Sequence, residues 1–124
     1  MTPIRVGIVD DNALFRKVLR SILEREHDLT VVAEADNGLD VLGMMERFRP
    51  DVVLVDLNMP VVDGFDAISI ITEDYPTTKV ITLSIHTLDE VKERAMEAGA
   101  CHFLTKDCHP EEIITAIRKC CQNT

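Results

Sequence analysis

Short apolar runs of strand length alternate along this chain with segments whose apolar residues have helical spacing. The first run spans residues 4–9 and ends in two acids. Directly after it, apolar residues recur every three or four positions with charged residues between them, namely Leu14, Phe15, Val18, Leu19, Ile22 and Leu23. The run 52–55 is uniformly apolar, which is typical of a strand buried on both faces of a sheet. The chain therefore begins as strand, then amphipathic helix.

The same alternation continues to the end of the sequence. It predicts five strands, at residues 4–9, 29–35, 51–55, 79–85 and 101–104. It also predicts five helices, at residues 14–23, 41–48, 64–75, 88–98 and 110–121. Such alternation gives a parallel sheet with right-handed crossovers and helices on both faces, the doubly wound α/β class. We expect one domain spanning residues 1–124.

Charge and hydropathy exclude several classes of function. The chain has 13 basic and 22 acidic residues, a net charge of −9, so these residues by themselves should repel nucleic acid and acidic membranes. No apolar segment approaches the roughly 20 residues that a membrane helix needs, and the first run is too short for a signal peptide. We expect a cytoplasmic protein with no membrane contact. The four cysteines all lie in the last quarter, two of them adjacent, and are interpreted as reduced thiols.

Polar residues that could take part in a reaction follow the predicted strands. In an open α/β sheet, ligands bind beyond the carboxyl ends of the strands. The first strand ends in Asp10 and Asp11, the third in Asp56, the fourth in Ser84, and the fifth is followed by Lys106. Three carboxylates, one hydroxyl and one ammonium should therefore converge at one edge of the sheet.

This convergence predicts phosphoryl chemistry. Three carboxylates at close range repel one another unless a cation lies among them, and magnesium (Mg²⁺) is the natural oxygen-bound ion. A carboxylate can attack a phosphoryl group to form an acyl phosphate, for which Ser84 can donate a hydrogen bond and Lys106 can neutralise charge. The hypothesis is an aspartyl phosphate.

Taken singly, each residue has a simpler interpretation. Asp11 or Asn12 alone is more often a helix N-cap, and Ser84 and Lys106 alone would be a turn residue and a surface charge. Two Cys-His pairs, at 101–102 and 108–109, suggest zinc, but their spacing is unlike that of structural zinc sites. His109 more simply precedes the fifth helix.

Over essentially its whole length the sequence resembles the receiver domain of two-component response regulators. The resemblance rests on the segments 9–11, 55–60, 63–64, 83–84 and 98–106, which read Val-Asp-Asp, Val-Asp-Leu-Asn-Met-Pro, Asp-Gly, Leu-Ser and Ala-Gly-Ala-Cys-His-Phe-Leu-Thr-Lys. It implies the flavodoxin-like strand order 2-1-3-4-5. It also implies that Asp56 is the phospho-acceptor and that a histidine kinase is the phosphodonor.

The resemblance implies further residue roles. Asp10, Asp11 and Asp56, with the backbone carbonyl of Asn58, would bind Mg²⁺, while Ser84 and Lys106 contact the phosphoryl group. Phe103 would be the switch aromatic that moves with Ser84. Asn58 and His86 occupy positions that tune the lifetime of the phosphoryl group in this family.

Within the family, the segments 83–86 and 104–113 are most similar to the subfamily with a C-terminal LuxR-type helix-turn-helix. This likeness implies control of transcription through a DNA-binding domain outside this chain, and a homodimer formed on phosphorylation. The alternative is a free-standing receiver that acts through protein–protein contacts. Two departures stand out: Asp107 replaces a proline that often follows the lysine, and Phe103 lacks a tyrosine hydroxyl.

Three rival functions are disfavoured by particular residues. A haloacid-dehalogenase-like phosphatase needs a second Asp where this chain has Asn58. A flavodoxin-like flavin binder needs a loop rich in Ser, Thr and Gly, whereas this loop reads Asp10-Asp11-Asn12. A receiver that never takes phosphate would not need the complete set of five site residues. We therefore expect a signalling domain whose only catalysis is its own phosphorylation and dephosphorylation.

Overall fold

The computed structural model describes residues 2–59, 64–85 and 88–122 and has five parallel strands and five α-helices in that part of the chain. The strands are β1 (Ile4–Val9), β2 (Leu29–Ala35), β3 (Val52–Asp56), β4 (Lys79–Ser84) and β5 (His102–Thr105). The helices are α1 (Ala13–Leu23), α2 (Val41–Phe48), α3 (Gly64–Asp74), α4 (Asp89–Glu97) and α5 (Pro110–Cys121). A short 3₁₀ turn, Gly38–Asp40, precedes α2. The strand order β2-β1-β3-β4-β5 confirms the expected doubly wound, flavodoxin-like topology.

Two apolar layers cover the two faces of the sheet. One buried cluster joins β-strand residues to α2, α3 and α4, with Met45, Ile68 and Ala95 among its members. The other joins the sheet to α1 and α5 through Leu19, Leu23, Ile113 and Ile117. Burial of the apolar side chains in both layers supplies the main driving force for folding.

Strand burial reflects position in the sheet. Every residue of the central strand β3 is buried, as its uniformly apolar sequence predicts. The outer strand β2 alternates buried with more exposed residues, and all four residues of β5, the other outer strand, are half-buried. The predicted strand ends differ from the observed ones by one residue at β3, β4 and β5. At β5, the backbone N–H of Cys101 already donates to the carbonyl of Val80 in β4 before the strand begins.

Not all of the regularly spaced apolar residues of α1 face the sheet. Leu19 and Leu23 are buried, but Leu14 is 70% exposed and Val18 49% exposed. Neighbouring helical residues are 100° apart, so the row that starts at Leu14 lies beside the buried row rather than on it. The apolar spacing thus contains two rows, of which only one faces the sheet.

Local signals fix the helix ends. Asn12 accepts a hydrogen bond from the backbone N–H of Phe15 and is the N-cap of α1. His109 caps α5 in a capping box with Glu112, which places it at a helix start as predicted. Gly99 follows α4 with a φ of 116°, and a Cβ there would lie 2.6 Å from a carbon of Thr72, so only glycine fits.

An ion pair fastens α5 to the loop before β2. Arg118 Nε and Nη2 donate hydrogen bonds of 2.9 Å to the two carboxylate oxygens of Asp28, and Nη2 also donates to Glu26 at 2.9 Å. The hydrogen bonds from Arg118 hold the pKa of Asp28 below its ordinary value of 3.8. This pairing is bidentate, the geometry in which surface ion pairs contribute most.

Replacement of Asp28 by Asn should lower the free energy of unfolding by about 1 kcal/mol at neutral pH. Because the folded-state pKa of Asp28 is lowered, the pair stabilises the fold above about pH 4, and this contribution is lost as the pH falls through that pKa. Urea denaturation of wild type and variant across pH 2–7 should show two curves that converge at the acid end. Glu46→Gln, which removes an exposed acid from α2, is the control. A constant difference between Asp28→Asn and wild type at every pH would contradict this assignment.

Candidate phosphoryl-transfer site at the carboxyl edge of the sheet

Two buried aspartates stand side by side at the carboxyl ends of the central strands. Asp10 follows β1 and Asp56 ends β3, and the pairing of Val9 with Val55 brings these positions together. Their exposed fractions are only 1% and 2%. Asp11 is exposed, and one carboxylate oxygen from each of the three acids lies within 4.8 Å of the others. The predicted acidic cluster is therefore formed.

Lys106 provides the positive charge of this site. Its Nζ lies 2.8 Å from Asp10 Oδ2 and 3.3 Å from Asp56 Oδ2. The backbone N–H of Lys106 donates to the carbonyl of Ser84 at 2.8 Å, which joins the loop after β5 to the end of β4. The lysine is thus held between the two buried carboxylates, as its position after β5 predicts.

Backbone amides fix the orientation of both carboxylates. The N–H of Asn12 donates to Asp10 Oδ1 at 2.8 Å, and the N–H of Asn58 donates to Asp56 Oδ1 at 2.8 Å. The other oxygen of each acid lies near the ammonium of Lys106. At both strand ends, therefore, the aspartate carboxylate accepts a hydrogen bond from the backbone amide two residues later.

The acids fit a divalent cation. Asp10 Oδ2 is fully buried and lies 2.8 Å from Lys106 Nζ. Three carboxylates in one cluster face this single ammonium, so the cluster lacks balancing positive charge. An oxygen-bound divalent cation such as Mg²⁺ suits that deficit.

The pKa values report the same imbalance. Burial raises the pKa of Asp56, and the charge of Asp10 raises it further, although the Asn58 amide and Lys106 act in the opposite direction. Burial by itself would lower the pKa of Lys106, but the two carboxylates outweigh that effect and raise it. The lysine is therefore held as an ammonium, while burial disfavours the charged form of Asp56.

Ser84 and Phe103 lie on neighbouring strands at the same edge. Ser84 ends β4, is fully buried and pairs with Thr105 of β5. Phe103 pairs with Thr82, is half-buried, and packs against the apolar cluster on the α2–α4 side of the sheet. Ser84 and Phe103 are therefore two residues apart in register on adjacent strands.

The side chain of Asn58 connects two loops of the site. Its Oδ1 accepts a hydrogen bond of 3.1 Å from the backbone N–H of Ile85, directly after β4. This contact gives Asn58 a structural role that its sequence position alone does not show. His86 and the segment 60–63 of the motif lie outside the described residues.

Sequence reasoning missed two site residues on α1. The ring of Phe15 lies 4.5 Å from Lys106 Nζ, in a cation–π contact. Arg16 donates to the backbone carbonyl of Asp10 at 2.6 Å and pairs with Glu34 at 3.2 Å. Both lie in the first turn of the helix that follows the acids, and that position is the signal that could have found them.

Zinc finds no support among the cysteines and histidines. Within the ranges that the structure describes, the one group of three or more His, Cys, Asp or Glu side chains close enough to share a metal is Asp10, Asp11 and Asp56. His109 is occupied as the cap of α5, its Nδ1 accepting from the Glu111 amide at 3.1 Å.

No helix in the described part of the chain is long and apolar enough to cross a bilayer.

Comparison with known proteins agrees with this geometry. The family model described as the response regulator receiver domain matches residues 6–118. The chain is 35% identical over 115 residues to the transcriptional regulatory protein DegU of Brevibacillus brevis, covering 93% of this chain and 49% of that protein. It is 37% identical over 117 residues to the nitrate/nitrite response regulator NarP of Escherichia coli, covering 94% and 54%. The chain thus spans about half the length of these curated relatives.

A solved structure shows the same fold. The LuxR-family two-component response regulator from Aurantimonas sp. SI85-9A1 superposes with a TM-score of 0.90 at 29% identity, covering 95% of this chain and 84% of that one. The family model, the sequence relatives and the solved structure all indicate the same protein family as the residues at the carboxyl edge of the sheet. The chain belongs to the response regulator receiver domain family, has a LuxR-family regulator among its structural relatives, and is a phosphorylation-dependent switch of two-component signalling.

Proposed function

We propose that Asp56 accepts the phosphoryl group that operates this switch. The observation that supports the proposal is the setting of its carboxylate, which is buried, adjoins Asp10 and Asp11, and lies 3.3 Å from the ammonium of Lys106. A nucleophilic carboxylate, oxygen ligands for a cation and a fixed positive charge are the groups that such a transfer requires.

Asp10, Asp11, Asp56 and the backbone carbonyl of Asn58 would hold Mg²⁺ in this proposal. When bound, Mg²⁺ supplies positive charge to the oxygens of the phosphoryl group. The backbone amides that bind Oδ1 of Asp10 and of Asp56 fix the orientation of both carboxylates, whose Oδ2 atoms lie beside Lys106. The protein therefore contributes preset ligand directions, which lowers the cost of assembling the site.

The proposed reaction is a transfer from nitrogen to oxygen. An oxygen of Asp56 attacks the phosphorus of a phosphohistidine, a new O–P bond forms, the P–N bond breaks, and its electron pair stays on the imidazole. Lys106 neutralises charge on the phosphoryl oxygens, and the Ser84 hydroxyl donates a hydrogen bond to one of them. In this proposal the domain carries out only its own phosphorylation and dephosphorylation, so it is a signalling module rather than an enzyme.

The donor in this proposal is a sensor histidine kinase, and the output is transcription. DegU is named as a transcriptional regulatory protein, and this chain matches about half of it. We infer that residues 1–124 act as the receiver for a separate DNA-binding domain and form a homodimer when phosphorylated. Since these residues carry a net charge of −9, DNA contact would belong to that other domain. A kinase that uses ATP acts in the cytoplasm, so the proposal places the receiver there.

Binding of beryllofluoride, a mimic of the phosphoryl group, tests the proposed site. We expect binding that requires Mg²⁺ and shifts the NMR signals of the Asp10, Asp56 and Lys106 amides. Asp11→Ala should weaken Mg²⁺ affinity by roughly tenfold or more, because one anionic ligand is lost. Asp107→Ala removes an exposed acid outside the cluster and is the matched control. Absence of Mg²⁺-dependent beryllofluoride binding would instead indicate an interaction module that takes no phosphate.

Phe103 is proposed as the element that transmits the change. When Ser84 moves toward a phosphoryl group, it vacates space beside β5, and Phe103 can turn inward to fill it. Its ring already packs on the cluster that contains Ala95 of α4, so the movement would alter the contact between β5 and α4. Lacking a phenolic hydroxyl, Phe103 would act by packing alone.

Phe103→Ala should accept phosphate normally but lose the structural response. Beryllofluoride should change amide hydrogen exchange in β5 and α4 of the wild type and leave these segments unchanged in the variant. The matched control is Phe65→Ala, since Phe65 is also half-buried against the same cluster. Each change should lower stability by about 2 kcal/mol, given partial burial. A full exchange response in Phe103→Ala would exclude the ring as the coupling element.

A further inference from the structure

A guanidinium of α1 is bound to the loop that carries two of the three acids. Arg16 Nη1 donates a hydrogen bond of 2.6 Å to the backbone carbonyl of Asp10. Side chains of a helix lean toward its N-terminus, which brings this guanidinium back to the loop between β1 and α1. The Arg16 side chain is only 18% exposed, so the contact is largely shielded from water.

A second edge of the same guanidinium is anchored on β2. Arg16 Nε donates a hydrogen bond of 3.2 Å to Glu34 Oε1. Glu34 pairs in register with Ile8 of β1, two residues before Asp10. The planar guanidinium is therefore held at two points, which sets its orientation. The single ammonium of a lysine could not reproduce this two-point contact.

The charge of Arg16 is balanced by its neighbours. Glu34 also pairs, through its other oxygen, with Arg20. Arg20 in turn lies 2.8 Å from Glu24. Two guanidiniums and two carboxylates together carry no net charge, so the network gives the loop a fixed donor without a net positive field that would repel a cation.

The contact with the Asp10 carbonyl also constrains Asp11. That carbonyl and the N–H of Asp11 belong to one planar peptide unit. The N–H of Asp10 donates to the carbonyl of Ala35 at 3.0 Å, and its carboxylate accepts from the Asn12 amide at 2.8 Å. With Arg16 on the carbonyl, Asp10 is held on both sides. Asp11 is exposed and close to two carboxylates that repel it, so it depends on its backbone to stay in the cluster.

We propose that Arg16 is a positioning residue that holds Asp11 in place for a divalent cation by fixing the carbonyl of Asp10. This role rests on the proposed function, in which Asp10, Asp11 and Asp56 bind Mg²⁺. Residues that orient metal ligands commonly contribute roughly tenfold or more to metal affinity. Glu34 is the anchor that keeps the guanidinium of Arg16 in register with the loop.

Mg²⁺ titration of the whole chain, followed by the NMR shifts of the Asp11 and Asn12 amides, tests this role through the sign of the effect. Arg16→Met removes both donors, so Mg²⁺ affinity should fall by about tenfold. Coulomb's law alone predicts the opposite, because loss of a positive charge near the acids should favour a cation. Arg16→Lys keeps the charge without the two-point contact and should weaken affinity by at least about threefold.

Arg20→Met is the matched control. It removes a guanidinium from the same helix that pairs with the same Glu34. The contacts of Arg20 are with Glu24, Glu34 and the carbonyl of Val31, and the loop that carries Asp10 is not among them. Mg²⁺ affinity of this variant should stay within about twofold of wild type, although two ion pairs are lost.

Amide hydrogen exchange in the absence of metal is a second readout. The N–H groups of Asp10 and Asn12 are both hydrogen-bonded. Their exchange should become severalfold faster in Arg16→Met, because the loop is released, and should be unchanged in Arg20→Met.

The outcomes separate this role from the proposed function. Mg²⁺ affinity of Arg16→Met equal to or above that of wild type, or an equal loss in Arg20→Met, would overturn the positioning role and leave the phosphoryl site intact. Full rescue by Arg16→Lys would also overturn it, since charge would then suffice. Failure of the wild type to bind Mg²⁺ would overturn the positioning role and the proposed function together. If Arg16→Met does not fold, Arg16→Lys compared with Arg20→Met decides the outcome.

Discussion

Asp56→Asn should abolish labelling by acetyl phosphate, with a loss of at least roughly 100-fold against wild type. An amide nitrogen or oxygen cannot replace the carboxylate as nucleophile at neutral pH. The Asn side chain has the same shape and can still accept from the Asn58 amide, which donates to Asp56 Oδ1 at 2.8 Å. The measurement is the gain of about 80 Da per phosphoryl group in the intact mass. The loss would therefore report chemistry rather than a change of fold.

The control for this experiment is another acid at the same edge of the sheet. Asp107 is exposed and directly follows Lys106, but it lies outside the three-carboxylate cluster. Asp107→Asn should be labelled like wild type. Far-ultraviolet circular dichroism of both variants checks that the fold is kept. Labelling of Asp56→Asn at the wild-type rate would remove the basis for Asp56 as acceptor, and mapping of the label would name the true site.

Parallel topology explains why so much of this site follows from sequence. The carboxyl ends of parallel strands share one edge, so Asp10, Asp56, Ser84 and Lys106 can be placed together once their strands are recognised. The predicted strands agree with the observed ones to within one residue at each end. The order of the strands could not be predicted in the same way, because hydrophobic periodicity indicates where a strand lies but not which strands it pairs with. That order came from the family resemblance.

The hydrophobic periodicity of the sequence does not predict which side chains of different helices and strands contact each other. The apolar spacing of α1 does not show which of two adjacent rows meets the sheet, and the structure leaves Leu14 and Val18 exposed. Phe15 gives the same apolar signal as Leu19, although its ring also lies against the Lys106 ammonium. The Asn58 side chain bonds to the Ile85 amide across two loops, a contact with no sequence period. Such contacts depend on how the strand ends are packed together.

The charge balance of the site leads to a second strong effect. Asp10 and Asp56 are almost fully buried, and the Lys106 ammonium, 2.8 Å and 3.3 Å from their oxygens, is the cation between them. Removing one partner of a buried ion pair leaves an uncompensated charge, which is strongly destabilising. Here the removal would leave two carboxylates facing each other. Lys106 therefore affects both the stability of the fold and the affinity of the site for a divalent cation.

Lys106→Met should lower the free energy of unfolding by about 3 kcal/mol at neutral pH in the presence of a chelator. Methionine keeps the apolar length of the side chain but removes its charge. Saturating Mg²⁺ should restore part of the loss, since a cation that binds the folded state stabilises it. The stabilisation by Mg²⁺ should thus be larger in the variant than in wild type. Urea denaturation with chelator and with Mg²⁺ measures both differences.

The effect of pH separates this explanation from a simple loss of packing. The pKa of Asp56 is already raised by burial and by Asp10, and without the ammonium it should rise further. The folded state then binds a proton more tightly than the unfolded state, so lowering the pH stabilises the variant and narrows its gap to wild type. Lys119→Met, at an exposed position of α5, should change stability by less than about 0.5 kcal/mol. If Lys106→Met matched this control, or if its loss were the same at every pH, the lysine would not be balancing the two buried carboxylates.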